Sequence, residues 1–137
     1  MNRASPILLV EDDLVDVMSV ERAFRELEIT NPIVTAGNGE EALVILRDAS
    51  KPLPGIILLD LNMPRLNGVE LLAVLKSDER LRRIPVVVLT TSKDAKDRSK
   101  TFDLGIAGYM LKPVDYPGFL EVIRVIWRYW EQSETAP

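Results

Sequence analysis

The run Ile56–Leu59 reads Ile-Ile-Leu-Leu, apolar at every position, and stops abruptly at Asp60. An apolar run without polar alternation describes a strand covered on both faces, as in a parallel sheet packed between helices. The rest of the chain repeats the rhythm. Further short apolar runs fall at Ile7–Val10, Ile33–Ala36, Val86–Leu89 and Tyr109–Leu111. Longer amphipathic stretches separate them, at Leu14–Leu27, Glu40–Arg47, Val69–Lys76, Asp94–Leu104 and Tyr116–Glu131. In the first of these, Val17, Val20, Phe24 and Leu27 recur on one helical face, and Asn67 stands where the third needs an N-cap. Strand and helix thus alternate five times, which predicts an α/β fold: a five-stranded parallel sheet flanked by five helices, with right-handed crossovers. The 137 residues suffice for one such domain, expected over 5–131, with a polar tail at 132–137 and no output domain.

In open α/β sheets, ligands bind outside the carboxyl ends of the strands, so the residues that follow each run matter most. Glu11, Asp12 and Asp13 follow the first, Asp60 the third, Thr90 and Thr91 the fourth, and Lys112-Pro113 the fifth, whereas the second ends in Ala36-Gly37. Four of five strand ends therefore bring polar groups to one rim. Taken alone, the acidic trio also suits the start of a helix, and Asp13 in particular reads as a cap.

The chain has no cysteine and no histidine, which excludes thiol chemistry, Cys-based zinc sites, histidine general bases and a phosphohistidine of its own. Carboxylates gathered at one rim raise one another's pKa unless a countercharge is present. Lys112 supplies one, and a hard divalent cation bound by oxygen ligands supplies the rest, Mg²⁺ being the natural candidate. An ionised Asp60 beside such an ion and a lysine is placed to attack a phosphoryl group. The strand would fix Asp60, and the loop "LNMPRLNG" would turn the Asn62 backbone carbonyl towards the metal. The net charge of −4 argues against nonspecific nucleic-acid binding. No apolar run approaches membrane-spanning length and the N-terminus carries no signal-peptide core, so a cytoplasmic location is expected.

The blocks "ILLVEDD", "ILLDLNMPRLNG", "VVVLTTS" and "GYMLKPV" occur in order and at the usual spacing, and on them the chain resembles the receiver domain of two-component response regulators. The resemblance covers roughly Pro6 to Glu131. "VEDDLVDV" and the Trp/Tyr-rich last helix make it most similar to single-domain regulators that partner phytochrome-type histidine kinases. The resemblance implies a flavodoxin-like (βα)5 fold with strand order 2-1-3-4-5. It also implies that Asp60 accepts phosphate from a sensor histidine kinase, with Mg²⁺ held by Asp12, Asp60 and the Asn62 carbonyl and reached by Glu11 through water. Lys112, Thr90 and Thr91 would contact the phosphoryl group, Thr90 and Tyr109 would act as a switch, and Lys112–Pro113 would be a cis peptide. Glu11 stands where many members have aspartate, and Thr91 where a smaller residue is usual.

From Phe119 to Trp130 the polar residues Glu121, Arg124 and Arg128 share one narrow stripe, and the rest of the helix circumference is apolar. A helix on one side of a sheet buries one face, so the surplus predicts a partner surface. Phe119, Val122, Ile126, Trp127, Tyr129 and Trp130 are the residues expected to form it, and the resemblance points to a homodimer. On this reading the chain is a signalling phosphoacceptor rather than an enzyme acting on external substrates. The alternatives are an intermediate in a phosphorelay, an aspartate-nucleophile phosphatase and a flavin-binding module. The phosphatase would want a second acid where Asn62 stands, and the flavin site would want a Ser/Thr/Gly-rich phosphate loop where "EDDL" stands.

Overall fold

The computed structural model describes residues 5–133. Five parallel strands, β1 (Ile7–Val10), β2 (Ile33–Ala36), β3 (Ile56–Leu59), β4 (Val86–Thr90) and β5 (Gly108–Leu111), form one sheet in the order β2-β1-β3-β4-β5. Helices α1 (Leu14–Glu26), α2 (Gly39–Leu46), α3 (Gly68–Ser77), α4 (Ala95–Asp103) and α5 (Tyr116–Gln132) alternate with them. The expected fold and strand order are those observed. Gln132, expected in the polar tail, closes the last helix, and residues 134–137 of that tail lie outside the described residues.

The alternation of side chains along each strand divides the core into two layers. Leu8, Val10, Ile57, Leu59, Val86 and Val88 point to one face, beneath α2 and α3. Ile7, Leu9, Ile56, Leu58, Val87 and Leu89 point to the other, beneath α1 and α5. This two-sided burial is why the central strands carry no polar residue until their last position.

Local signals set the helix starts. The Asp13 carboxylate accepts from the Val15 and Asp16 N–H groups and caps α1. Asn67 and Glu70 form a reciprocal capping box at α3. In the loop between β3 and α3 the left-handed residues are Arg65 (φ 49°) and Leu66 (φ 58°), not the glycine. Gly68 serves close approach instead: a Cβ there would lie 2.5 Å from the Asp60 carbonyl oxygen and 2.6 Å from Leu61 Cα. The start of α3 is thus pressed against the strand end that carries Asp60.

Helix α5 corrects one expectation. Phe119, Ile126 and Trp130 are not available to a partner, because they are buried within the chain together with Ile123. Their spacing of four, three and four residues makes a single stripe that faces the sheet. Trp130 lies against Gly55, where a Cβ would meet its ring at 2.6 Å. Trp127 is half-buried and turns towards α1, its ring centroid 6.0 Å from that of Phe24. The apolar residues left at the surface of α5 are Val125 and Tyr129, with Val122 partly buried beside them.

Candidate functional site

Strand register builds the site. Val10 is paired with Leu59, and Thr90 with Leu111. The residue after each strand therefore emerges on the same rim, held by one more ladder bond. The Asp60 N–H donates to the Val10 carbonyl at 3.0 Å, the Glu11 N–H to Ala36 at 2.9 Å, and the Lys112 N–H to Thr90 at 2.8 Å. Rigid backbone thus fixes three charged side chains from three distant segments.

Carboxylate oxygens of Glu11, Asp12 and Asp60 all lie within 4.8 Å of one another. Glu11 and Asp60 are buried and Asp12 is exposed, so the cluster has a closed base and an open mouth. The Lys112 ammonium, on a side chain only 7% exposed, sits among the acids. It is 2.5 Å from Glu11 Oε1, 2.7 Å from Asp16 Oδ2 and 3.5 Å from Asp60 Oδ2.

Burial pushes the Glu11 carboxyl up to about 7, further helped by the charge of Asp60 and opposed by its hydrogen bond to Lys112. Burial also works against the Lys112 ammonium, but hydrogen bonds to Asp16 and Glu11 and the charge of Asp60 outweigh it and raise its pKa above the usual lysine value. The acids outnumber their countercharge, and a group with three hard oxygen donors and a surplus of negative charge suits a divalent cation such as Mg²⁺ or Mn²⁺. The site therefore fits the metal that the resemblance implies.

The remaining expected residues fall as follows. Thr90 is fully buried at the end of β4, and its Oγ1 accepts from the Ser92 N–H at 3.3 Å. Thr91 is exposed. Asn62 is exposed, and its backbone N–H faces Asp60 Oδ1 at 3.4 Å. The Tyr109 ring, on β5, stacks with Phe102 of α4 at 6.5 Å between centroids, and its hydroxyl donates to the Ser92 carbonyl at 2.8 Å. This bond ties β5 to the segment that follows β4. The Lys112–Pro113 bond is trans, contrary to expectation, since no peptide bond among the described residues is cis. The isomers of a bond before proline differ by only about 1 kcal/mol, so the motif alone does not decide between them.

Two participants escape a reading of strand ends. Asp16 reaches the site from the first turn of α1, and Ser92 receives Tyr109 from the segment beyond β4. Asp16 stands three residues past the Asp13 cap, in the first turn of the helix that starts at the strand-end rim, which is the signal that could have found it.

Residues 7–124 match the family described as the response regulator receiver domain. Among curated proteins, the chain is 39% identical over 134 residues to the probable methanogenesis regulatory protein FilR2 of Methanothrix harundinacea, covering 96% of this chain and 86% of that protein. It is 33% identical over 140 residues to response regulator Rcp1 of Synechocystis, covering 99% of this chain and 95% of that one. Among solved structures, that of the phosphorylated cyanobacterial phytochrome response regulator RcpA superposes with a TM-score of 0.90 at 36% identity, covering 97% of this chain and 98% of the other. The Mn²⁺-bound form of Rcp1 gives a TM-score of 0.88 at 33% identity, covering 97% and 99%.

Proposed function

The chain belongs to the response regulator receiver domain family, a family of signalling proteins, and from that premise we propose that Asp60 is its phosphoacceptor and a sensor histidine kinase its donor. The observation that carries this reading is the convergence of Asp60 with Glu11, Asp12 and the Lys112 ammonium at one rim. An Asp60 carboxylate oxygen forms the new bond to phosphorus, and the bond from phosphorus to the donor breaks with its electron pair leaving on the donor nitrogen. Lys112 meets the charge on the phosphoryl oxygens, and the buried Thr90 hydroxyl lies at the end of the adjoining strand to receive one of them. A Mg²⁺ ion held by Asp12, Asp60 and the Asn62 carbonyl, with Glu11 reaching it through water, would neutralise further charge on the transferred group.

Occupation of Thr90 by a phosphoryl oxygen would act on Ser92, whose N–H now donates to that hydroxyl and whose carbonyl holds Tyr109. In this way the state of Asp60 reaches β5 and α4, whose Phe102 ring stacks on Tyr109. The exposed flank of α5, with Val125, Tyr129 and the edge of Val122, is the surface we assign to self-association, in place of the wider set expected from the sequence. The likeness to RcpA, a phytochrome response regulator, supports a phytochrome-type kinase as the donor. Among the described residues no helix is long and apolar enough to cross a membrane.

The test is intact mass after incubation with acetyl phosphate and Mg²⁺. The wild type should gain one phosphoryl group and Asp60→Asn none. Equal labelling of both would place the acceptor elsewhere.

A further inference from the structure

The phosphoacceptor reading gives Asp16 no part, yet its carboxylate is one of the two closest partners of the site's cation. An ammonium has three N–H donors and no acceptor. Here Glu11 and Asp16 take the near positions, at 2.5 and 2.7 Å, while Asp60 stands off at 3.5 Å. The usual length of a charge-assisted N–H···O bond is about 2.8 Å, so Lys112 is beside Asp60 rather than bonded to it. Both members of the pair are anchored. Asp16 lies in the first turn of α1, which Asp13 caps, and the Lys112 backbone is bonded to Thr90.

Resting on the phosphoacceptor reading, we propose that Asp16 is a positioning residue for Lys112: it draws the ammonium towards α1 and keeps it from closing onto Asp60. Without Asp16, Coulomb attraction would carry the ammonium the last fraction of an ångström to the Asp60 carboxylate. The oxygen that must attack phosphorus would then hold a hydrogen bond from Lys112. With Asp16 in place the attacking oxygen stays free, and the third N–H of Lys112 is left for an oxygen of the incoming phosphoryl group. In the reaction with acetyl phosphate, Asp60 forms the new O–P bond while the P–O bond to acetyl breaks and acetate leaves with its electron pair. Asp16 acts on the rate of that step and not on capture of the donor.

The experiment compares wild type, Asp16→Asn and Asp16→Glu by intact-mass time courses over a range of acetyl phosphate concentrations, at saturating Mg²⁺, with thermal unfolding measured alongside. Asp16→Asn keeps the size of the side chain and removes its charge. It should lower the maximal rate about tenfold with little change in the half-saturating donor concentration. Asp16→Glu, whose carboxylate can still reach the ammonium, should recover at least half of the wild-type rate. A maximal rate in Asp16→Asn within twofold of wild type overturns the proposal. An Asp16→Asn chain that does not fold, or Asp16→Glu as slow as Asp16→Asn, assigns the pair to structure and overturns it as well. If the wild type takes up no phosphate, it is the Asp60 reading that fails, and the two failures remain distinct.

Discussion

Replacing Glu11 with glutamine should change how stability depends on pH, and by an amount that the site itself sets. The Glu11 carboxyl titrates near 4.5 in an unfolded chain and is pushed to about 7 in the folded one, burial being the main cause. Between those values the folded chain holds a proton that the unfolded chain has lost, so stability falls as pH rises, by about 1.4 kcal/mol per pH unit. The stabilisation is complete below pH 4.5 and gone above about pH 7. Over the whole interval it amounts to roughly 3 kcal/mol. Glu11 is only 5% exposed, so solvent screening removes little of it. The assay is urea unfolding of wild type and Glu11→Gln at pH 5, 6, 7 and 8 in the presence of a chelator. Subtracting one series from the other removes the titrations that the two proteins share. The Glu11→Gln protein should gain on the wild type as pH rises and level off above about pH 7. A difference that stays flat across this range would refute the placement of Glu11 as a carboxyl held neutral by burial. Because a metal ligand must be ionised, Mg²⁺ should also bind the wild type more weakly below pH 7 than above it.

Further consequences are open to direct measurement. Trp130→Ala should destabilise the monomer by about 3–5 kcal/mol in urea unfolding, because Trp130 is core, whereas Tyr129→Ala should cost less than about 1 kcal/mol. Tyr129→Glu should weaken self-association in sedimentation velocity without lowering the unfolding midpoint, since the side chain is 63% exposed. Gly68→Ala should cost about 1–3 kcal/mol, because the added methyl must displace the Asp60 carbonyl, and the loss should be accompanied by weaker Mg²⁺ binding in a titration.

The sheet was legible because its central strands are buried on both faces and therefore written as unbroken apolar runs, Ile56–Leu59 most plainly. The rim was legible for the same reason: in parallel strands of matched register, whatever follows the last apolar residue must emerge on one side. Asp60 and Lys112 needed no more than that. Asp16 was not legible by this route, since a polar residue inside an amphipathic helix reads as part of its solvated face. Its position in the first turn, over the strand ends, is what turns it inward. The surface of α5 was hidden by a different ambiguity. A helix apolar over most of its circumference does not say which stripe meets the sheet. The choice of Phe119, Ile123, Ile126 and Trp130 depends on a tertiary fit, including the space left by Gly55. The isomer of Lys112–Pro113 lies beyond sequence for an energetic reason, as two states so close in free energy are selected by surroundings.

The most direct test of the central claim is the address of the phosphoryl group. Wild-type protein phosphorylated by acetyl phosphate in the presence of Mg²⁺ can be reduced with borohydride, which converts an aspartyl phosphate to homoserine, and then digested and sequenced by mass spectrometry. Homoserine at position 60 alone is the predicted result. Homoserine at position 12, 13 or 16, or an intact aspartate at position 60 in protein that carries phosphate, would contradict it.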